Sequence, residues 1–160
     1  MRRIATTLAA ILAPVALAAP AAAATPDETA AVAAVQAFFD AMAAQDRAAL
    51  AAVTLPGSVY TAIRPADGGA TKVSRIPVED FIKNLRPGLH EAMWSPRVVV
   101  RAGLLATVTA PYEFKLDGKT THCGIDVFDL AKVEGRWKIA AATWTAEADA
   151  CPELKAAKAP

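Results

Sequence analysis

The sequence predicts an α+β domain, because its N-terminal part has apolar residues at helical spacing and its C-terminal part is rich in β-branched and aromatic residues. The helical stripe consists of Val32, Val35, Phe38, Phe39 and Met42. The later β-prone runs are separated by turn signals. Asp117-Gly118 is the strongest of these, since a type I′ turn needs positive φ at both of its central positions. We therefore expect helices first and a meander of antiparallel strands after them.

The N-terminus has the features of a cleavable secretory signal. Met1-Arg2-Arg3 is a basic start, residues 4–17 are an apolar run, and Ala22-Ala23-Ala24 is a small-residue cleavage site. The apolar run is shorter than the roughly 20 residues that span a bilayer. We therefore predict a signal peptide over residues 1–24, cleavage after Ala24, and a periplasmic or secreted protein with no membrane contact after cleavage.

The rest of the 160-residue chain has the size of one domain. The whole chain has 17 basic and 16 acidic residues, so acidic residues slightly outnumber basic ones once Arg2 and Arg3 are removed. A nucleic-acid partner is therefore not expected. We expect the domain over residues 25–150 and a flexible C-terminal tail over residues 151–160.

Capping and turn residues indicate where each element begins and ends. Thr25-Pro26-Asp27-Glu28 is a capping box that begins the first helix. Asp46 caps a second helix that ends before Pro56-Gly57, and a third begins at Pro77 and ends at Pro87-Gly88. Strands are predicted over residues 58–63, 93–101, 104–115, 120–131 and 136–145, with a loop between the first of these and the third helix.

Two cysteines, Cys123 and Cys151, remain after cleavage of the signal. An oxidising compartment permits them to pair, and we expect this disulfide; the alternative is two free thiols. Neither their spacing nor their neighbours predict a zinc site, so no metal is expected. No motif for a phosphate loop or another cofactor site occurs, and we expect no cofactor.

The element order resembles that of the nuclear transport factor 2-like (NTF2-like) superfamily, in particular its SnoaL-like and lumazine-binding-protein-like groups. The residues that carry the likeness are residues 35–42, His122-Cys123-Gly124 and residues 135–139. The resemblance implies a cone-shaped roll, with N-terminal helices packed in a curved mixed, mostly antiparallel sheet whose mouth holds a small apolar molecule. It also implies dimerisation through the sheet, so we expect a homodimer. A ketosteroid isomerase-like base is not expected, because residues 60–63 hold no carboxylate.

Hairpin registers suggest which residues share a face of the sheet. If Leu116 pairs with Lys119, Glu113 lies opposite His122; if Ala131 pairs with Arg136, His122 lies opposite Thr145 and Asp126 opposite Ala141. One face then carries Glu113, His122, Asp126, Phe128, Trp137, Thr143 and Thr145, and the other carries Tyr112, Cys123 and Trp144. The sequence leaves open which of these faces is concave.

An imidazole near two carboxylates makes His122, Asp126 and Glu113 candidate acid and base groups. The alternative for His122 and Glu113 is a structural pair on neighbouring strands. Candidates for the wall of a ligand site are Tyr60, Trp94, Tyr112 and Trp144, whose rings offer large contact areas, although ordinary core packing is the alternative. Asp40 lies on the apolar first helix and is a candidate for the cone mouth, or simply a solvated residue.

These observations support three hypotheses about function. The first is an exported domain whose apolar cone binds a small, mostly apolar molecule of unknown identity. The second is a lyase or isomerase-type enzyme that uses His122 with Asp126 or Glu113. The third is a dimerisation or interaction module.

Overall fold

The computed structural model describes residues 23–157. The predicted signal peptide therefore lies almost entirely outside the described residues. Within them, no helix has the length and apolar character needed to cross a membrane. The elements, in chain order, are α1 (Pro26–Ala44), α2 (Arg47–Val53), β1 (Thr54–Pro65), a 3-10 turn (Asp67–Gly69), β2 (Thr71–Pro77), α3 (Val78–Lys83), β3 (Leu89–Met93), β4 (Arg97–Arg101), β5 (Leu105–Leu116), β6 (Lys119–Val133), β7 (Arg136–Thr145) and α4 (Cys151–Ala156).

The strands form one sheet in the order β2-β1-β7-β6-β5-β3, and β4 also pairs with β5. Strands β1 and β7 run parallel, whereas the other pairings are antiparallel. Helix α1 packs against the concave face, where Phe38, Phe39 and Met42 join Val108 and Phe128 in one buried core. The structure thus confirms the predicted α+β cone with a mixed, mostly antiparallel sheet.

The N-terminus of α1 is the predicted capping box. The Glu28 backbone N–H donates to Thr25 Oγ1 at 3.2 Å, and the Thr25 N–H donates to Glu28 Oε2 at 2.6 Å. Asp46 caps α2 by accepting a hydrogen bond from the Ala49 N–H at 2.9 Å. These local contacts confirm both helix starts, because a cap satisfies backbone donors that the first helical turn leaves unpaired.

The strand bounds differ from the prediction in two places. Residues 71–77, predicted as loop, form the edge strand β2, whose mostly exposed side chains lack a strong apolar alternation. The predicted strand over residues 93–101 is two strands, β3 and β4, that pair with β5 in succession. Ser95, with φ of 46°, and Pro96 separate them, since proline has no N–H for the ladder.

The predicted turns form, but β-bulges change the registers that follow them. Leu116 pairs with Lys119 as predicted, and Asp117 and Gly118 have φ of 51° and 76°. The extra residue Thr121 then places Phe114, not Glu113, opposite His122. A bulge adds one residue to one strand and so moves later side chains to the other face.

The second hairpin differs in the same way. Val133, not Ala131, pairs with Arg136, and a further shift places Asp126 opposite Trp144 instead of Ala141. Because Trp144 lies on the concave face, Thr143 and Thr145 lie on the convex one. The predicted set that joined Glu113, Thr143 and Thr145 to His122 and Asp126 is therefore wrong.

Within the predicted tail, residues 151–157 are described and residues 158–160 lie outside the described residues. Cys123 and Cys151 form the predicted disulfide, with their Cα atoms 5.0 Å apart. Residues Cys151–Ala156 form α4, and Lys155 Nζ lies 2.8 Å from Glu113 Oε1. The covalent bond and the ion pair both fix α4 against the convex face of the sheet.

Reduction of the disulfide is expected to lower the free energy of unfolding by about 3.5 kcal/mol, the chain-entropy value for a loop of this length. The bridge spans 28 residues, and its loss frees the unfolded chain. Urea unfolding of the oxidised protein, the reduced protein and Cys151→Ser measures the effect. The reduced protein and the variant should agree; an unchanged midpoint in both would contradict the expectation.

Candidate functional site

A cavity of about 460 Å³ lies between α1, α3 and the concave face of the sheet. Aromatic and aliphatic side chains from both helices and the sheet form most of its wall: Phe38, Phe39, Met42, Phe81, Phe128 and Trp144. Fewer polar side chains line it: Arg64, Arg86, Glu91, Thr121, His122 and Asp126. Its volume falls within the range of small-molecule sites, roughly 300–1,000 Å³.

Several small residues lie on the concave face, and one of them, Ala142, lines the cavity. Ala62 lies beside Trp144 across β1 and β7, and Ala110 lies beside Asp126 across β5 and β6. Position 124 requires glycine, because a Cβ atom there would lie 2.0 Å from the carbonyl oxygen of Thr145. Larger residues at these positions would fill the cavity or separate the strands.

Two carboxyl groups meet inside the cavity. Asp126 on β6 is 3% exposed, and Glu91 reaches it from β3. Their side chains hydrogen-bond to each other, which requires that one of them carries a proton.

The environment of this pair favours the protonated forms. Burial first, and then repulsion by Asp126, raises the pKa of Glu91 well above its usual range. Burial raises the pKa of Asp126 to about 7, although the hydrogen bond from Glu91 opposes this shift. The pair therefore retains a proton at pH values where exposed carboxyl groups are ionised.

Two tyrosines line the same cavity, and their phenol side chains are neutral. Burial raises the pKa of both Tyr60 and Tyr112. The Tyr112 hydroxyl donates to the Thr145 carbonyl at 2.6 Å. The Tyr60 hydroxyl is buried and has no hydrogen-bond partner within the described chain.

The His122 ring is held between aromatic neighbours. It stacks on Phe114 with centroids 5.0 Å apart and meets the Tyr112 ring edge-on at 5.7 Å. Its Nδ1 lies 2.8 Å from Thr121 Oγ1. Burial and the positive charge of Arg64 lower the pKa of His122. The imidazole is therefore neutral at neutral pH.

Two arginines bring positive charge to the cavity. Arg64 is half-buried, and no carboxylate of the described residues lies within salt-bridge distance of it. Arg86, in the segment after α3, is exposed and also lines the cavity. Arginine stays charged in proteins, so both oppose the entry of a cation.

Residues 26–145 match the profile of the Lumazine_bd_2 family, described as "putative lumazine-binding". The chain belongs to this family. The match runs from the start of α1 to the end of β7, so it includes every element that lines the cavity. No curated protein matches the chain significantly in sequence.

Comparison with solved structures shows which proteins share the fold of this Lumazine_bd_2 member. A Nostoc punctiforme protein of unknown function with a cystatin-like fold aligns with a TM-score of 0.60 at 8% identity, covering 76% of this chain and 91% of that chain. An NTF2-like protein of unknown function from Silicibacter pomeroyi aligns with a TM-score of 0.50 at 20% identity, covering 72% and 92%. A Shewanella frigidimarina protein described as a "putative ketosteroid isomerase" aligns with a TM-score of 0.54 at 19% identity, covering 74% and 97%. At these identities the solved structures show the fold alone, and the chain shares the fold of the NTF2-like protein.

The family fold places five of the predicted site residues around one cavity. His122, Asp126, Tyr60, Tyr112 and Trp144 all line it. The sequence-based register separated Tyr112 and Trp144 from His122 and Asp126. The bulges bring the four onto one face, and α1 shows that this face is the concave one.

The other three predicted residues lie elsewhere. Glu113 is on the convex face, where it accepts hydrogen bonds from Lys155 and Thr120. Asp40 is exposed and accepts a hydrogen bond from Gln36 Nε2 at 2.9 Å. Trp94 does not line the cavity, and its backbone N–H donates to the Pro111 carbonyl at 3.1 Å.

Sequence reasoning missed Glu91 and Arg64. Glu91 falls in β3, most of which was not predicted as strand. The alternation of Leu89 and Glu91 with exposed neighbours would have placed Glu91 on the inner face if the strand had been recognised. Arg64 lies on the same face of β1 as Tyr60, but it is one residue beyond the predicted end of the strand.

The carboxyl pair predicts an unusual pH dependence of stability. Both folded-state pKa values lie above the unfolded values, so the folded state binds more protons between pH 3.8 and about 7. The free energy of unfolding should therefore fall as pH rises through this window, by up to about 1.4 kcal/mol per pH unit for Asp126. Asp126→Asn should flatten this slope in urea unfolding measured across the window.

Asp129→Asn is the matched control, because Asp129 is exposed on the other face of the same strand. It should keep the wild-type slope. Equal slopes in wild type and Asp126→Asn would show that Asp126 ionises normally.

Proposed function

We propose that this protein is an exported small-molecule-binding domain whose cavity takes a small, mostly apolar molecule. The observation that carries the proposal is the cavity of about 460 Å³ with its largely aromatic wall. A well-packed core leaves few voids larger than a water molecule, so a space of this size points to an occupant. The description of the family also names binding of a small molecule.

The polar groups of the cavity suit a binding role. Ligand sites combine apolar walls with a few polar groups that fix orientation. Here Arg64, Glu91, His122 and Asp126 supply polar groups along an otherwise largely apolar wall.

Two observations support export. The N-terminal sequence has the basic, apolar and small-residue regions of a secretory signal. The Cys123–Cys151 disulfide suits an oxidising compartment. We accordingly propose a periplasmic or secreted location, and the homodimer expected from the family resemblance stays a prediction.

Filling part of the cavity should weaken binding without unfolding the protein. Ala142 lines the cavity, whereas its neighbour Ala141 points to the convex face. With 2-methoxynaphthalene as the probe, Ala142→Leu should weaken binding by about tenfold or more, since the added carbons occupy ligand space. Isothermal titration calorimetry measures the affinity, and circular dichroism confirms folding.

Ala141→Leu is the control and should bind the probe like wild type. Equal affinities in all three proteins would place the bound probe outside the cavity and contradict the proposal. Mass spectrometry of small molecules retained by the native protein would then identify the natural ligand or show that none is bound.

A second candidate function is a lyase or isomerase-type enzyme. Asp126, with a pKa raised to about 7 by burial, is suited to act as a general base at neutral pH. Glu91, whose pKa is also raised, lies beside Asp126 and would be its acid partner, in place of the predicted combination of His122 with Asp126 or Glu113. The fold-level similarity to a "putative ketosteroid isomerase" belongs with this candidate.

The enzyme candidate predicts base catalysis on a generic carbon acid, 5-nitrobenzisoxazole. Asp126 would take the ring C–H proton while the N–O bond breaks to give a cyanophenolate, which is followed by absorbance. The rate should rise with pH through about 7, and Asp126→Asn should lower it by about a hundredfold or more.

Glu113→Gln serves as the control, because this convex-face carboxylate does not contact the cavity. It should leave the rate unchanged. A wild-type rate no greater than that of Asp126→Asn would count against an enzyme that uses Asp126.

A further inference from the structure

We propose that the cavity binds an apolar organic acid, whose carboxylate is held by Arg64 and whose apolar body is enclosed by the aromatic wall. The inference rests on the proposed function, because it names the ligand class of the same cavity. It starts from one juxtaposition: positively charged side chains that lack salt-bridge partners within the described chain lie at one end of a largely aromatic cavity.

The strand register places Arg64 on the inner face of the sheet. Tyr60, Ala62 and Arg64 alternate along β1, and both Tyr60 and Arg64 line the cavity. Arg64 is the penultimate residue of β1 and is half-buried. Its guanidinium group is therefore partly shielded from water, and there a charge-assisted hydrogen bond is stronger than at a fully exposed site.

The charge of Arg64 acts on groups inside the cavity. Burial and then the charge of Arg64 lower the pKa of His122, whereas burial raises the pKa of Tyr112 and Arg64 opposes that rise. The Tyr112 hydroxyl donates to the carbonyl of Thr145, which pairs with Ile63, the neighbour of Arg64. Arg64 and the rings of Tyr112 and His122 therefore lie around the same end of the cavity.

Two further cations add to this charge. Lys72 lies directly opposite Arg64 on β2, so both side chains project from the same face. Arg86, exposed after α3, also lines the cavity. None of the three forms a salt bridge with a carboxylate of residues 23–157. Like charges directly opposite each other are unfavourable, and a bound anion offsets their repulsion.

The buried carboxyl pair does not cancel this positive charge. Glu91 and Asp126 are hydrogen-bonded to each other and share a proton, so the pair carries at most one negative charge. Glu91 lies on β3, which β5, β6 and β7 separate from β1 in the sheet. A carboxylate at Arg64 is therefore favoured, whereas a ligand cation would meet three positive charges on that side.

The wall of the cavity determines the rest of the ligand. Phe38, Phe39, Met42 and Phe128 line the part that α1 and β6 enclose. A small inorganic anion would leave this apolar surface uncovered, whereas an apolar body removes it from water. The planar guanidinium group of Arg64 matches a carboxylate with two parallel hydrogen bonds. An acid with an apolar body therefore uses both parts of the site.

The experiment separates the charge of the ligand from its body. The probes 2-naphthoate, 2-naphthamide and 2-naphthylmethylammonium share one naphthalene body and are an anion, its neutral isostere and a cation, while acetate is the carboxylate without that body. Calorimetry with the full mature chain at neutral pH gives the affinities. We expect 2-naphthoate to bind about tenfold or more tightly than 2-naphthamide, and the ammonium probe and acetate to bind more weakly than 2-naphthoate.

Three variants assign the preference to its source. Arg64→Gln removes the charge and should reduce the affinity for 2-naphthoate to that for 2-naphthamide. Arg64→Lys keeps the charge without the planar fork and should retain part of the preference. Arg75→Gln is the matched control, because Arg75 is exposed on β2 and pairs with Thr61 on the outer face. It removes the same charge and should bind all probes like wild type; circular dichroism confirms the folding of each variant.

Each contrary outcome has a distinct meaning. Equal binding of 2-naphthoate and 2-naphthamide by the wild-type protein, a comparison that needs no variant, overturns the acid inference while the proposed binding function stands. A preference for 2-naphthoate that survives in Arg64→Gln, or that Arg75→Gln loses equally, overturns the assignment to Arg64. Acetate that binds as tightly as 2-naphthoate overturns the apolar body, and tightest binding of the ammonium probe overturns the argument from charge. Failure of all three naphthalene probes to bind would overturn the proposed function itself.

Discussion

The structure depends on the burial of one aromatic stripe of α1 against a bent sheet. Phe38 is the centre of this contact, because its ring meets those of Phe39, Tyr60, Phe81 and Phe128 at centroid distances of 5.7 to 5.9 Å. These rings belong to α1, β1, α3 and β6. A flat sheet could not surround a helix in this way, and the bulges in β5–β6 and β6–β7 supply curvature. The burial of apolar surface thus determines which face becomes concave.

The cavity is the part of this cone that the aromatic stripe does not fill. Alanines and Gly124 lie on the concave face beside the larger rings. Into that space the sheet places Glu91 and Asp126, which tolerate burial because they share a proton. A buried carboxyl pair is an unfavourable way to fill a core, and a core selected only for stability would carry apolar residues there. The pair is therefore the feature of the cone that stability alone does not explain.

The convex side of the sheet supports the strand that carries the site. Cys123 lies on β6 between His122 and Gly124, and its disulfide attaches α4 to the outer face. Backbone hydrogen bonds between Cys123 and Glu147 extend the same attachment, at 2.9 and 3.2 Å. Lys155 binds Glu113, so this carboxylate takes part in the attachment of α4 and not in the cavity. The C-terminal segment is thus a brace for the site strand.

The sequence by itself determined the local features: the capping box at Thr25, the apolar stripe of α1, the turn at Asp117-Gly118 and the pairing of two cysteines. It also determined the α+β class and the NTF2-like fold, because element order follows from these local signals. Only the tertiary structure decided which side chains meet. The bulge at Thr121 separated Glu113 from His122, and the unrecognised strand β3 brought Glu91 to Asp126. Caps and turns are set by neighbours within four residues, whereas register is set by packing across the whole sheet, and a shift of one residue moves every later side chain to the other face.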